Sequence, residues 1–455
     1  METMCEASIS WDKPKRFRHV CPLLVETPDG LRCSVNTADV RPFWRRAFAL
    51  YGGALLALYL TAAISFFIFL RIVGYPVNIF HTIWPPAWHH LREARGNFFF
   101  NKATKAFASG HPSEGVLYLS NAYTFDPANY SAGLMLAKNI QLGQPNLSDS
   151  IYQQLLVDHP AQRTATAQEW FRALLARGNY PAIQQLALLQ VIDDAPHASV
   201  WMRALVLACR QTRNDAPLRA LRASTHPAAQ PWRMLIDVEL ALNSGHTDAA
   251  RSVLTQVWGP APAYTVFYQV QNLIALNDPF RALDLLNIYG RRLDDEARVT
   301  LQLEAFARLG SQRLLQRQTD ALLAQAVNFP TVKILAAHLI RHPDSALLDQ
   351  VYAKFMAAKY PVDNDSAGIY LSLYCAAGVA QDWGKAHAIT GVLRQSTGGS
   401  FVMLGLMESF FRGDGGQTRV SVFLPAMPMP LEVTYALLER YPGSVYVAPT
   451  AHAAR

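Results

Sequence analysis

Residues 99–127 read FFNKATKAFASGHPSEGVLYLSNAYTFDP, and this stretch decides the fold. It opens with a run of helical length that carries the large Phe99 and the small Ala103 and Ala106, and it turns at Gly110. A second run carries Gly115, Leu119 and Ala122 at helical spacing and closes on Asp126-Pro127. Small residues let two helices approach closely, glycine opens the turn between them, and proline stops the second helix. The spacing therefore predicts a helix-turn-helix pair.

The pattern recurs along the chain. Turn punctuation falls at Gly110, Gly143, Gly178, Asn214, Gly245, Asn277, Gly310, Pro343, Asp382 and Gly413, a mean period of about 34 residues. Gly143 with Ser148, Tyr152, Leu155 and Pro160 repeats the first copy, and Gly245 with Ala250 and Leu254 keeps part of it. So do Asn277 with Ala282 and Leu286, and Asp382 with Ala386. The units near Gly178, Asn214, Gly310 and Pro343 keep the spacing alone. These residues resemble the tetratricopeptide repeat (TPR) family. The resemblance implies an all-α solenoid of about ten helix pairs over residues 91–415, acting as a noncatalytic protein-binding scaffold or assembly factor.

Upstream, residues 47–70, AFALYGGALLALYLTAAISFFIFL, contain no charge and no proline. At about 1.5 Å per residue they reach roughly 36 Å, enough for one membrane-spanning helix. Arg32, Arg41, Arg45 and Arg46 precede the span within 20 residues, and only Arg71 follows it. That asymmetry predicts a cytoplasmic N-terminus and an extracytoplasmic array, as in a single-pass protein of a bacterial inner membrane. Phe43 and Trp44 on one side, and Tyr75, Trp84 and Trp88 on the other, suit the headgroup zone. Residues 71–90, with three prolines, form a stiff connector near the membrane surface. Residues 1–46 form a cytoplasmic segment with two short extended runs about the Pro28-Asp29-Gly30 turn. After Gly413 the period lapses; over residues 416–455 a strand at 420–424 and a helix near 431–440 are expected to cap the last repeat, with a disordered tail from Ser444.

A charged fraction of 16% and a net charge of +7 with scattered arginines argue against a nucleic-acid partner. Five cysteines, Cys5, Cys21, Cys33, Cys209 and Cys375, are too few and too dispersed for a disulfide scaffold. Cys21 and Cys33, with His19 and Cys5, are candidate zinc ligands, although they lack the Cys-x2–4-Cys knuckle of zinc ribbons; ordinary reduced thiols are the other reading. Asp363 to Ser366 begins like a calcium loop but meets Ala367 and Tyr374 where acids are needed, so these are turn and cap residues. No His-Glu-x-x-His spacing occurs.

Arg203, Arg210 and Arg213, continued by Arg219, Arg222 and Arg233, offer a surface for acidic partners or anionic lipid headgroups, or else a solvated helix face. Tyr118, Tyr123 and Tyr152, with Trp170 and Trp201, would line a peptide groove or form inter-repeat core. The leading expectation is a membrane-anchored scaffold that binds proteins or peptides, without a cofactor and without catalysis. Alternatives are a redox- or metal-sensing regulator using the N-terminal cysteines, and an enzyme with an unrecognised site.

Overall fold

The computed structural model describes residues 24–28, 30–33, 47–259, 262–324, 328–363, 365–397, 402–414 and 419–442. Cys5, His19 and Cys21, the glycine turn at 398–399 and the chain after 442 lie outside the described residues. Apart from one short strand pair, the secondary structure is helical. Two compact units are distinguished, Met1–Leu136 and Ala137–Arg455.

In the first unit, β1 (Leu24–Thr27) and β2 (Gly30–Cys33) pair antiparallel, with Leu24 opposite Cys33 and Thr27 opposite Gly30. A π-helical turn, Phe48–Gly52, runs into α1 (Gly53–Val73). Together they make one apolar helix, Phe48–Val73, of 26 residues, long enough to cross a membrane. Most of its large side chains are exposed, as Leu55, Phe69 and Ile72 show. Gly74 ends it in the left-handed conformation, φ 99°, which costs a glycine nothing. Its prolines break the connector: α2 (Ile79–Ile83) is one short helix that packs back against α1, with the Tyr59 hydroxyl donating to the Ile83 carbonyl.

Next come α3 (His89–Ala108) and α4 (Pro112–Phe125), the pair expected from residues 99–127. Ala103 and Ala122 are fully buried between them. A Cβ on Gly115 would stand 2.7 Å from the Phe107 ring, so close approach requires glycine at this position. Phe99 lies 5.6 Å from Phe125 and 6.3 Å from Tyr118, ring centre to ring centre. Then α5 (Tyr130–Ile140) follows.

The second unit continues with α6 (Pro145–Asp158), α7 (Arg163–Arg177), α8 (Tyr180–Asp193), α9 (Ala198–Thr212), α10 (Ala216–Ala223), α11 (Arg233–Asn243) and α12 (Thr247–Leu254). After them come α13 (Ala263–Ala275), α14 (Pro279–Tyr289), α15 (Asp295–Leu309), α16 (Gln312–Ala324), α17 (Phe329–Arg341) and α18 (Ser345–Ala357). The last are α19 (Ser366–Val379), α20 (Trp383–Thr397), α21 (Val402–Arg412), α22 (Val420–Phe423) and α23 (Leu431–Arg440). Sequential neighbours pack together, as in α8 on α9, α13 on α14 and α19 on α20. Alternate helices form a second row of contacts, α11–α13–α15–α17–α19–α21.

Helix starts and stops follow local chemistry. Asn179, Asp278, Asp294, Asn328 and Asp344 accept backbone N–H groups at N-termini. Left-handed residues end helices at Gly178, Arg213, Gly245, Asn277 and Gly310, spaced 32 to 35 residues apart, then at Gln381 and Gly413. Two non-glycine caps, Arg213 and Gln381, stand one residue before the expected marks Asn214 and Asp382. Ala250, Ala282 and Ala386 are fully buried at their small-residue positions. Gly143 has an open environment and no left-handed twist, so it ends a turn without needing to be glycine.

Two expectations for the C-terminal part need correction. Residues Val420–Phe423 are helical, not a strand, because Phe423 packs on Phe410 and Phe411 of α21 and, among the described residues, no strand partner runs beside them. Further, α23 does not simply cover the last pair: it packs along α17, far back in the sequence.

Candidate functional site

The C-terminal segment occupies a groove built from odd-numbered helices of the second unit. It enters at Gln141, whose side-chain amide donates to the Pro425 carbonyl at 3.1 Å. It then crosses α19 so closely that a Cβ on Gly368 would stand 2.3 Å from the Pro428 carbonyl oxygen. The helix α23 follows, with Val433, Ala436 and Leu437 fully buried. The Arg203 guanidinium of α9 lies 4.2 Å from the Tyr435 ring centre and 5.2 Å from that of Phe267. Burial pushes the Tyr435 hydroxyl up to about 12, with Arg203 opposing.

Charges lace α15, α17 and α23 together at two levels. Lys333 of α17 sits 2.5 Å from Glu296 of α15 and 3.7 Å from Glu432 of α23. Two turns on, Arg341 of α17 lies 3.8 Å from Glu304 of α15 and 2.8 Å from Glu439 of α23. Burial works to lower the Lys333 ammonium and the Arg341 guanidinium, but the flanking carboxylates outweigh it and both stand above their ordinary values. Glu304 shows the converse: burial would raise its carboxyl, yet His338, His342 and Arg341 hold it well below the usual carboxylate range.

Two cavities flank the segment. One, of about 390 Å³, is lined by residues of α9, α13, α15, α17 and α23, among them Arg203, Phe267, Glu304 and Glu439. The other, of about 600 Å³, lies between Lys138, Tyr152 and Glu169 on one side and residues 424–431 on the other.

The residues singled out from the sequence separate into distinct roles. Arg203 belongs to the groove. Arg210 is bonded within the protein: its Nε and Nη2 bond the fully buried Glu239 at 2.6 and 2.7 Å, and the Tyr268 hydroxyl donates to the same carboxylate at 2.6 Å. Burial opposes the Arg210 charge, but Glu239 more than compensates and raises the guanidinium. Arg222 pairs with Asp237 at 2.7 Å, and Arg213 is an exposed helix cap. Two of the six arginines, Arg210 and Arg222, are therefore met by acids of α11, Glu239 and Asp237. Tyr152 is buried and stacked on Trp170 at 6.2 Å, and Trp201 is fully buried with its Nε1 bonded to Asp194 at 2.9 Å. Tyr118 is half-buried under Lys102 in the first unit. Asp363 caps α19 by accepting the Asp365 and Ser366 amides, as a turn residue should.

One constellation escaped the sequence reading: Glu304, His338 and His342 place their ligand atoms within 4.8 Å of one another. The signal was the His-x3-His spacing at 338 and 342, which is silent about the glutamate a repeat earlier. Comparisons of the chain with protein-family models, with curated proteins and with solved structures found no match in any of the three, so function must be argued from this geometry alone.

Proposed function

We propose that the protein is a noncatalytic scaffold or assembly factor, tethered by the Phe48–Val73 helix with its N-terminus in the cytoplasm and its TPR-like superhelix outside, and that it binds an α-helical segment of another protein. The observation that carries the reading is the seating of α23 along α17 and under Arg203 of α9: the array accepts an amphipathic helix, and that helix is its own. The occupant defines the recognised chemistry. It offers two carboxylates seven positions apart, Glu432 and Glu439, an apolar face between them, and one aromatic ring under Arg203. Partner access is by exchange with α23 or by contact along the adjoining cavity.

The test is photocrosslinking in intact membranes from a groove position, Arg308, against an outer position, exposed Phe280 on α14. A discrete polypeptide adduct from residue 308 and none from residue 280 supports the reading; equal adducts from both, or none from either, overturns it. A reporter fused after Arg455 that is active only in the cytoplasm overturns the orientation.

A further inference from the structure

We propose that Glu304, His338 and His342 form a binding site for a divalent transition ion of the zinc class. This goes beyond the scaffold reading and does not depend on it. The two histidines are one helical turn apart, His338 within the last turn of α17 and His342 as its C-cap, so both imidazoles leave the same face. Glu304 comes to them from α15. His342 Nε2 stands 2.7 Å from Glu304 Oε2, His338 Nδ1 stands 3.5 Å from Glu304 Oε1, and the imidazole centres are 5.0 Å apart.

Two atoms of this group carry the inference furthest. His338 is 3% exposed, and its Nδ1 is buried without a hydrogen-bond partner; so is the Glu304 Oε1 that faces it. A buried polar atom without a partner costs about 1–3 kcal/mol, and here two such atoms face one another across a gap. An ion bound to both would satisfy them together. Tetrahedral bonds of about 2.0–2.1 Å put donor atoms roughly 3.3 Å apart, so the 3.5 Å pair of His338 Nδ1 and Glu304 Oε1 already fits, and His342 joins them by turning its Nε2 from Glu304 Oε2, 2.7 Å away, toward the same ion.

The surroundings favour a cation. Five carboxylates against three arginines line the adjoining cavity, from which Glu304 and His342 are reached. Arg341, the nearest opposing charge, is drawn toward Glu439 by the 2.8 Å bond from its Nε. Two imidazoles and one carboxylate suit zinc, cobalt or nickel, and the nitrogen donors argue against calcium and magnesium. Three protein ligands with an open cavity beside them leave a fourth position to water.

The experiment uses the full-length protein in detergent, stripped with chelator and titrated with Co2+ and then Zn2+. The expected result is one ion per chain with the visible spectrum of a tetrahedral nitrogen and oxygen site, lacking the near-ultraviolet thiolate band that Cys5, Cys21 or Cys33 would produce. His342→Gln and Glu304→Gln should each weaken binding by more than about 100-fold while retaining the helical spectrum. His342 is half-exposed and decides the question alone where Glu304→Gln does not fold. The exposed His89, His90 and Glu93 group remains intact in both variants and serves as an internal control. Affinity that is absent in the wild type, or unchanged in His342→Gln, overturns the proposal.

Discussion

Replacing Gly368 with alanine tests the seating of the C-terminal segment more directly than any deletion. The added methyl would stand 2.3 Å from the Pro428 carbonyl oxygen and 3.5 Å from Pro430 Cδ. Carbon and carbonyl oxygen ordinarily approach to about 3.3 Å, so the segment must move about 1 Å from α19 or the helix must shift. Backbone is not cheaply displaced, and overpacking of this kind costs about 1–3 kcal/mol. Gly405, in the first part of α21, is the control, since a Cβ there meets nothing within 4 Å and gains up to about 1 kcal/mol of helix propensity. Gly405→Ala should raise the urea midpoint of the helical signal, and Gly368→Ala should fall about 1–3 kcal/mol below it. Hydrogen exchange should quicken over residues 431–440 in Gly368→Ala alone. Equal stability of the two variants, with unchanged exchange, would show that Pro428 does not rest on α19.

Arg210→Ala should cost about 3–5 kcal/mol in urea unfolding because it leaves Glu239 buried and uncompensated, whereas replacing Arg210 by Met together with Glu239 by Leu should recover most of the loss. Arg213→Gly should stabilise by about 0.5–1 kcal/mol, since Arg213 adopts φ 53° at an exposed cap; an unchanged thermal midpoint would refute the strain. Cys209 and Cys375 are buried, and burial pushes the Cys209 thiol up to about 11 and that of Cys375 higher still, so neither should react with maleimide until the protein unfolds. Because the folded value of Cys209 is raised, its contribution to stability is complete below about pH 9 and drains as pH rises toward about 11. Cys209→Ala should flatten that part of the stability profile.

The helix pair at 99–127, the apolar span and the period of helix ends were legible because each depends on neighbours within a few residues. Glycine, small side chains and capping acids declare a turn locally. Partnership across the array was not legible. Arg210 reads as one of a run of basic residues until Glu239 arrives 29 residues later to neutralise it. Tyr152 and Trp201 read equally as groove or core, and only packing buries them. The helix at 431–440 was expected, but its seat was not, because the residues that receive it lie about 100 to 230 positions earlier, from Arg203 to Arg341. The Glu304 cluster failed for the same reason, since two of its three members are one turn apart and the third is on another helix.

The two charge bridges that hold α23 have a common geometry. Lys333 and Arg341 stand eight residues apart on α17, as do Glu296 and Glu304 on α15, and Glu432 and Glu439 answer them seven apart on α23. Partly buried pairs return little net stability once desolvation is counted, so their main effect is to set register: a slip of one turn along α17 would part both carboxylates from their cations. They cannot set direction, because two acids at matched spacing would pair equally well with the helix reversed. Direction comes from asymmetric contacts. Glu432 in the first turn favours the helix dipole, while Glu439 in the last turn opposes it and depends on Arg341 for compensation. Tyr435 fits under Arg203, and Pro428 and Pro430 are seated against Gly368 just before the helix begins. A competing helix that reproduced the acids alone would therefore bind in either direction, whereas one that also carried the aromatic residue three positions after the first acid would bind as α23 does.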